Sequence, residues 1–331
     1  MSKKQKKIRT SGDVNVTRRN VTNVLAMISA GAIGSPLFSR LMAAETSNVI
    51  GSRMVAAIFF ESYATIALKR ALRYAGEDGF VSSMPQLLHA RVNAPFDNII
   101  WNTWFTSNSE ESVVTTLQGN HVVVTVHGGG IFASPARIER SLRADLDRTN
   151  PEGLTGQYAA KISAAEARDL LGGYLPDGSE VPIYPFDEFR RGIANLPTRY
   201  AVVLDFESAK MAKNGYVSFE ILKEDPGMII RAGGTEPLAA YLDKARGRND
   251  TDLMGSWHPY NRIDPQQHQT RLLRLAGNKG GKGSEGDDDS LGWGYDSDYG
   301  IGTSGFIGLA RYVAVAPRNL STSLQYLDFE T

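Results

Sequence analysis

With no cysteine among its 331 residues, this chain has no thiolate to act as nucleophile or metal ligand and no disulfide to brace it. Its chemistry has to come from histidine, carboxylates and the backbone. The most pointed arrangement is Val126-His127-Gly128-Gly129-Gly130-Ile131. Successive glycines let neighbouring backbone N–H groups turn toward one point, which suits an anion or a developing oxyanion. His127 beside them, and His258 within Trp257-His258-Pro259-Tyr260, are the candidate acid–base groups. Neither has a local acid partner. The bland alternatives are two structural histidines and a glycine loop chosen for its turn geometry alone. His121 and His127 are six residues apart, and no third ligand in sequence completes a zinc site around them.

A second constellation lies in residues 277–305, which carry ten glycines. Asp287 with Asp289, and Asp296 with Asp298, are alternating carboxylates that can converge on calcium. The glutamate that ends a twelve-residue helix–loop–helix calcium pattern is absent there. Trp293, Tyr295 and Tyr299 are interleaved with these acids. Aromatic rings beside acids and glycines suit stacking on sugar faces or burial against another protein. The segment is expected to be a long exposed loop, and two readings stay open: calcium as cofactor with a carbohydrate or protein as partner, or a plain solvated loop whose aromatics tuck back onto the domain.

These groups need elements to hold them. The β-branched run His121–Val126 predicts a buried strand leading into the glycines. Ser134 and Pro135 then predict the start of a helix whose apolar face is Ile138, Leu142 and Leu146. Upstream, the apolar stretch Val55–Leu68 predicts a core helix over residues 48–74, stopped by Gly76. Downstream, Ser163 and Glu166 form a capping box whose helix ends at Gly172-Gly173. Asp187 is read as the cap of a short helix reaching about Leu196. Strands are expected over 199–206, over 216–222 after the Asn214-Gly215 turn, and over 228–232 after Asp225-Pro226-Gly227. Gly233-Gly234-Thr235 leads into a helix over 236–246, and residues 307–316 form a last strand. No repeat period stands out, and neither the dinucleotide fingerprint nor a phosphate-binding P-loop is complete.

Two short resemblances add to this reading. His127–Gly130 resembles the oxyanion-hole segment of one branch of the α/β-hydrolase family, where His-Gly-Gly-Gly follows a strand. That resemblance implies a hydrolase with backbone donors at Gly128, Gly129 and Gly130 and His127 or His258 in the chemistry. No Gly-x-Ser-x-Gly elbow accompanies it: Gly302-Thr303-Ser304-Gly305-Phe306 fails at its last position and Lys282-Gly283-Ser284-Glu285-Gly286 at its first. Residues 1–44 resemble a twin-arginine export signal, with a basic start, the pair Arg18-Arg19, a moderately apolar stretch Val24–Phe38 and small residues at Ala43-Ala44. This implies the twin-arginine export machinery as a partner and a periplasmic or secreted address. The alternative is a basic N-terminal arm on a cytoplasmic protein.

Composition bounds the rest. The 36 basic and 36 acidic side chains cancel overall, but residues 1–44 hold eight of the basic ones and a single acid, Asp13, leaving 28 against 35 beyond. An acidic body of this kind is a poor phosphate-backbone binder, so no nucleic-acid partner is expected. No run reaches the roughly 20 apolar residues that span a bilayer, so no stable membrane span is expected. The expected fold is α/β or α+β, a mixed β-sheet with flanking helices in a single main domain over 45–331. Two functions stay open: an exported hydrolase of unassigned activity using His127–Gly130, or a non-catalytic binding or assembly protein using residues 277–305.

Overall fold

The computed structural model describes residues 54–275, apart from 62–63, 78, 103–104, 145–151, 156–158, 249–251, 258–259 and 261–262, and beyond them residues 291–293 and 304–311. The centre of the molecule is a strand pair. Strand β3 is the third of the chain, after β1 (Met54–Glu61) and β2 (Phe80–Val81). It spans Phe105–Thr115 and turns through residues 116–120 into β4 (His121–His127). The register from Ser109↔His127 to Thr115↔His121 is continuous and antiparallel. Onto the outer side of β4 come β7 (Tyr200–Asp205), antiparallel, and then β6 (Ile183–Pro185), parallel to β7.

The other side of β3 pairs with β10 (Gln269–Leu275), which also carries β5 (Ala159–Lys161) and β11 (Leu291–Trp293). The path then runs through β9 (Leu253–Trp257) to the terminal strand β8 (Gly215–Ser218). Strands β1 and β12 (Ser304–Arg311) pair antiparallel along their whole lengths, Met54↔Arg311 to Glu61↔Ser304, so the first and last described strands close on each other. The architecture is therefore the mixed sheet with flanking helices that the sequence suggests.

Helices cover both faces of the central strands. On one side, α2 (Met84–Asn93), α9 (Pro226–Ala232) and α10 (Thr235–Arg246) bury Val113, Val123, Val202 and Leu204. On the other, α1 (Ala64–Ala75) and α4 (Pro135–Ala144) close over Phe132, Ala160 and Leu272. Beside them α5 (Ala164–Leu171) closes over Val122, Val124 and Val126. Short helices fill the corners: α3 (Ile99–Asn102), α6 (Phe186–Arg190), α7 (Phe206–Lys210) and α8 (Phe219–Glu224). The capping box at the start of α5 closes as expected: Ser163 N–H donates to Glu166 Oε2 at 3.0 Å and Glu166 N–H to Ser163 Oγ at 3.2 Å. The same carboxylate takes the guanidinium of Arg137 on α4, which is fully buried.

Five expected elements differ: the helix expected from Asp187 to about Leu196 is Phe186–Arg190 with Pro185 at its cap, the last strand expected over 307–316 is described over Ser304–Arg311, and three others depart further. The helix predicted over 48–74 is a strand over 54–61 followed by a helix over 64–75. Met54–Phe60 has no polar face, and its partner lies some 250 residues away in sequence, so local periodicity carries no trace of the pairing. The strand predicted over 228–232 is α9, because Asp225 caps Met228 N–H at 3.0 Å and Pro226 sits in the first turn. The same three residues read as a turn when the capping carboxylate is overlooked. Finally, the strand expected over 216–222 stops at Ser218 and continues as α8.

Candidate functional site

Strand β3 is unusual in composition for its position. Thr106, Ser107, Asn108, Ser109, Glu110, Glu111 and Ser112 are consecutive, and all are buried. A strand covered on both faces is ordinarily apolar. Each buried polar group here must find a partner within the fold or cost on the order of 1–3 kcal/mol. Because side chains alternate along a strand, the polar run divides into two clusters on opposite faces.

On the face under α1, α4 and α5, Glu110 reaches the turn after β4. Its Oε1 accepts the N–H groups of Gly130 and Phe132, each at 3.0 Å. Its Oε2 accepts Thr270 Oγ1–H at 3.2 Å, and Ser112 Oγ–H donates to Thr270 Oγ1 at 2.9 Å. Burial pushes the Glu110 carboxyl above its ordinary range, while the donated hydrogen bonds pull it part of the way back. The loop that delivers the amides is shaped by glycine. Gly129 has φ of +104°, and a Cβ there would lie 2.9 Å from the Ala133 methyl and 3.1 Å from Asn108 Nδ2. Arg199 Nε–H holds the loop from outside, donating to Gly129 O at 2.9 Å. Of the three glycines read from the sequence as donors, Gly130 is the one that bonds Glu110, and Phe132 joins it.

The opposite face carries Glu111. Arg231 on α9 meets it in a bidentate pair, Nε–Oε1 at 2.8 Å and Nη2–Oε2 at 2.9 Å, with both side chains out of solvent. Tyr260 Oη–H donates to Glu111 Oε2 at 2.8 Å. Burial opposes the charge of Arg231, but Glu111, Tyr260 and Asp225 together outweigh it and raise the guanidinium further. Burial, reinforced by the same carboxylate, pushes the Tyr260 hydroxyl well above its usual range.

His127 points to this second face and is fully buried. Its Nε2 lies 2.9 Å from Ile230 O, an acceptor only, so Nε2 carries the proton. Its Nδ1, 2.8 Å from Ser109 Oγ, is then the acceptor, and Ser109 Oγ in turn accepts Met84 N–H at 2.9 Å. Burial drives the imidazole down to about 4, so it is neutral under ordinary conditions. Both ring nitrogens are engaged, and neither is left to take a proton from a bound molecule. Gly128, Gly129 and Gly130 adjoin it along the chain, yet Gly130 points its amide to the other face of the sheet. His127 and the Gly130 donor are not brought together around a common point.

The remaining candidate groups lie elsewhere. His258, Asp287, Asp289, Asp296, Asp298, Tyr295 and Tyr299 are outside the described residues, as is the basic segment 1–44. Trp293 contributes its backbone to β11. Among the described residues, no group of three or more His, Asp or Glu side chains converges as a metal site, and no helix is long and apolar enough to cross a membrane. The sequence reading assigned no role to Glu110, Glu111, Arg231, Tyr260 or Thr270. A signal for the first two existed: the polar run 106–112 is framed by Phe105 and Val113-Val114 and runs straight into a hairpin turn at Gly119-Asn120. Arg231 and Tyr260 carry no local signal, because their partner is more than a hundred residues away.

No protein-family model matches the chain, and no curated protein matches it in sequence. A solved structure described as "Accommodation of massive sequence variation in Nanoarchaeota by the C-type lectin fold" does align, with a TM-score of 0.53 and 23% identity. The alignment covers 79% of this chain and 100% of that one. At that identity the likeness is one of fold: the mixed sheet with flanking helices is similar to the C-type lectin fold.

Proposed function

We propose that this chain is a non-catalytic binding protein, with residues 277–305 as its ligand-contacting segment and a carbohydrate or protein surface as its ligand. The observation that supports this reading is the internal use of the Gly130 amide and of both His127 nitrogens at the glycine loop. The Gly130 and Phe132 amides are taken by Glu110, and both nitrogens of His127 are taken by Ser109 and Ile230 O. A centre whose glycine-loop amides and histidine are engaged in this way is a frame for recognition rather than a reaction site. The related fold is described as accommodating massive sequence variation. A frame held by the internal Glu110 and Glu111 networks suits that use, since surface residues can change without disturbing it. The Gly/Asp/aromatic segment follows β10 in the chain, includes β11 and leads into β12. Its aromatics supply stacking area, and Asp287, Asp289, Asp296 and Asp298 supply oxygen ligands for calcium. Residues 1–44 serve as a twin-arginine export signal that delivers this binding surface outside the cytoplasm.

The test is a glycan and protein array probed with the full chain, with and without calcium. Binding that survives His127→Gln and falls on Trp293→Ala, Tyr295→Ala or Tyr299→Ala is the expected outcome. Turnover of an ester or amide that His127→Gln abolishes would overturn the reading. Export is checked separately by replacing Arg18 and Arg19 with Lys and following the protein between cell fractions.

A further inference from the structure

Where β4 begins, the end of the β3–β4 hairpin is tied to the chain segment ahead of β10. His121 Nδ1 lies 3.0 Å from Thr115 Oγ1, and His121 Nε2 lies 3.3 Å from the side-chain Nε2 of Gln266. Thr115 Oγ1 in turn lies 3.3 Å from Pro265 O, a carbonyl that can only accept. The donor directions follow from that acceptor. The Thr115 hydroxyl gives its proton to Pro265 O, so His121 Nδ1–H donates to Thr115 Oγ1. His121 Nε2 is then unprotonated and accepts from the Gln266 amide. The relay leaves residue 266, passes through β4 and β3, and returns to residue 265. Only the neutral, Nδ1-protonated form of His121 closes it.

We infer that this relay is an acid-released clasp: residues 264–267 are held against the end of the β3–β4 hairpin while His121 and His268 are neutral, and come away when the two rings are protonated. The segment is short and anchored at both ends. Ile263 is buried on one side, and on the other Ile162 N–H donates to His268 O at 3.1 Å. Between these points Asp264 spends its carboxylate on the segment itself, accepting Gln266 N–H at 3.0 Å and Gln267 Nε2–H at 3.2 Å. Protonation puts an N–H on His121 Nε2, facing a group that already donates. Turning the Gln266 amide over would restore an acceptor, but the new charge still acts on His268. Burial, and then the neighbouring His121, hold the His268 imidazole below its ordinary 6.5. Its neutral form therefore favours the closed state, a contribution complete above 6.5 and lost as the pH falls through the lowered value. Among the described residues no carboxylate pairs with either ring to hold its charge. Asp205, opposite Val122 on β7, caps α7 through Ser208 N–H at 2.8 Å. α7 sets the Phe206 ring edge-on to His121 and carries Glu207 and Lys210, which pair with each other. Lys161, opposite Gln269 on β5, is exposed and adds only positive charge.

NMR of the full chain reads the clasp directly. A through-space contact between the Gln266 side-chain amide and the His121 ring should be present at about pH 8 and gone at about pH 5, with the signals of residues 264–267 shifting together while those of Ile263 and Thr270 stay in place. His268→Gln should raise the His121 titration midpoint by on the order of half a pH unit, the size of one charge acting on another several Å away in a watery surround. His121→Gln, at a half-buried position, should abolish the pH response of residues 264–267. Gln266→Glu puts a carboxylate opposite Nε2 and should keep the contact in acid where the unsubstituted chain has lost it. A contact that persists unchanged to about pH 5, a response that survives His121→Gln, or release of Gln266→Glu at the same pH as wild type overturns the inference. So does loss of the whole spectrum at once, which would assign the acid response to global unfolding. None of these readouts involves a ligand, so the clasp and the binding reading fail separately.

Discussion

Glu110 and Glu111 are neighbours on one strand, equally removed from water, and the fold treats them in opposite ways. Glu111 is met by a guanidinium in a two-pronged pair and by a phenol. Glu110 is met by two backbone amides and one hydroxyl, all neutral donors. The difference follows from what lies over each face. α9 brings a long cationic side chain to the Glu111 side, while the Glu110 side is closed by a glycine turn that can offer only its backbone. A carboxylate held by a cation is committed to its charge. One held by neutral donors needs acceptor oxygens and loses little if the charge goes.

The largest effect should therefore come from Glu111→Gln. It removes the counter-charge from Arg231 while the guanidinium stays buried, which typically costs about 3–5 kcal/mol. Urea unfolding followed by circular dichroism reads this as a large drop in midpoint with the slope unchanged. Next is the acid limb set by His127. Its pKa in the fold, about 4, lies below the ordinary 6.5. The stabilisation from keeping it neutral is thus complete above 6.5 and is lost as the pH falls toward 4, amounting to about 3 kcal/mol. His127→Gln should flatten the stability curve across that window, and an unchanged acid limb in the variant would assign the loss to other groups.

Much of the frame was legible from sequence because its signals are local. The alternation and branching of His121–His127, the Ser163–Glu166 box and the glycines at 172–173 each act within a few residues, and each element is where it was expected. The helix expected over 48–74 failed because an uninterrupted apolar strand and a core helix look alike without a view of the partner strand. The candidate site was half legible. Donors were read at Gly128, Gly129 and Gly130, whereas the pair that meets a carboxylate is Gly130 and Phe132. That the carboxylate is Glu110, twenty residues earlier and inside a polar strand, depends on the β3–β4 register, which no motif encodes. His127 looked reactive because its sequence neighbours are glycines; its spatial neighbours, Ser109 and Ile230 O, make it structural.

The smallest effects sharpen the contrast most. Glu110→Ala orphans the Gly130 and Phe132 amides together and should cost about 2–4 kcal/mol. Glu110→Gln keeps an acceptor oxygen for both amides, and its amide nitrogen can donate to Thr270 Oγ1 once that hydroxyl turns. Its net effect at neutral pH should stay within about 1 kcal/mol, because the lost hydrogen-bond strength is offset by no longer burying a charge. The sign with pH follows from the raised pKa. A carboxyl whose folded value lies above its ordinary 4.5 favours the fold while protonated, and that contribution is lost as the pH rises through the folded value. Glu110→Gln removes this loss, so the stability of wild type minus that of the variant should fall as pH climbs above about 4.5. If that difference instead rises with pH, Glu110 is held by an attraction its neutral donors do not supply, and the two carboxylates are alike after all.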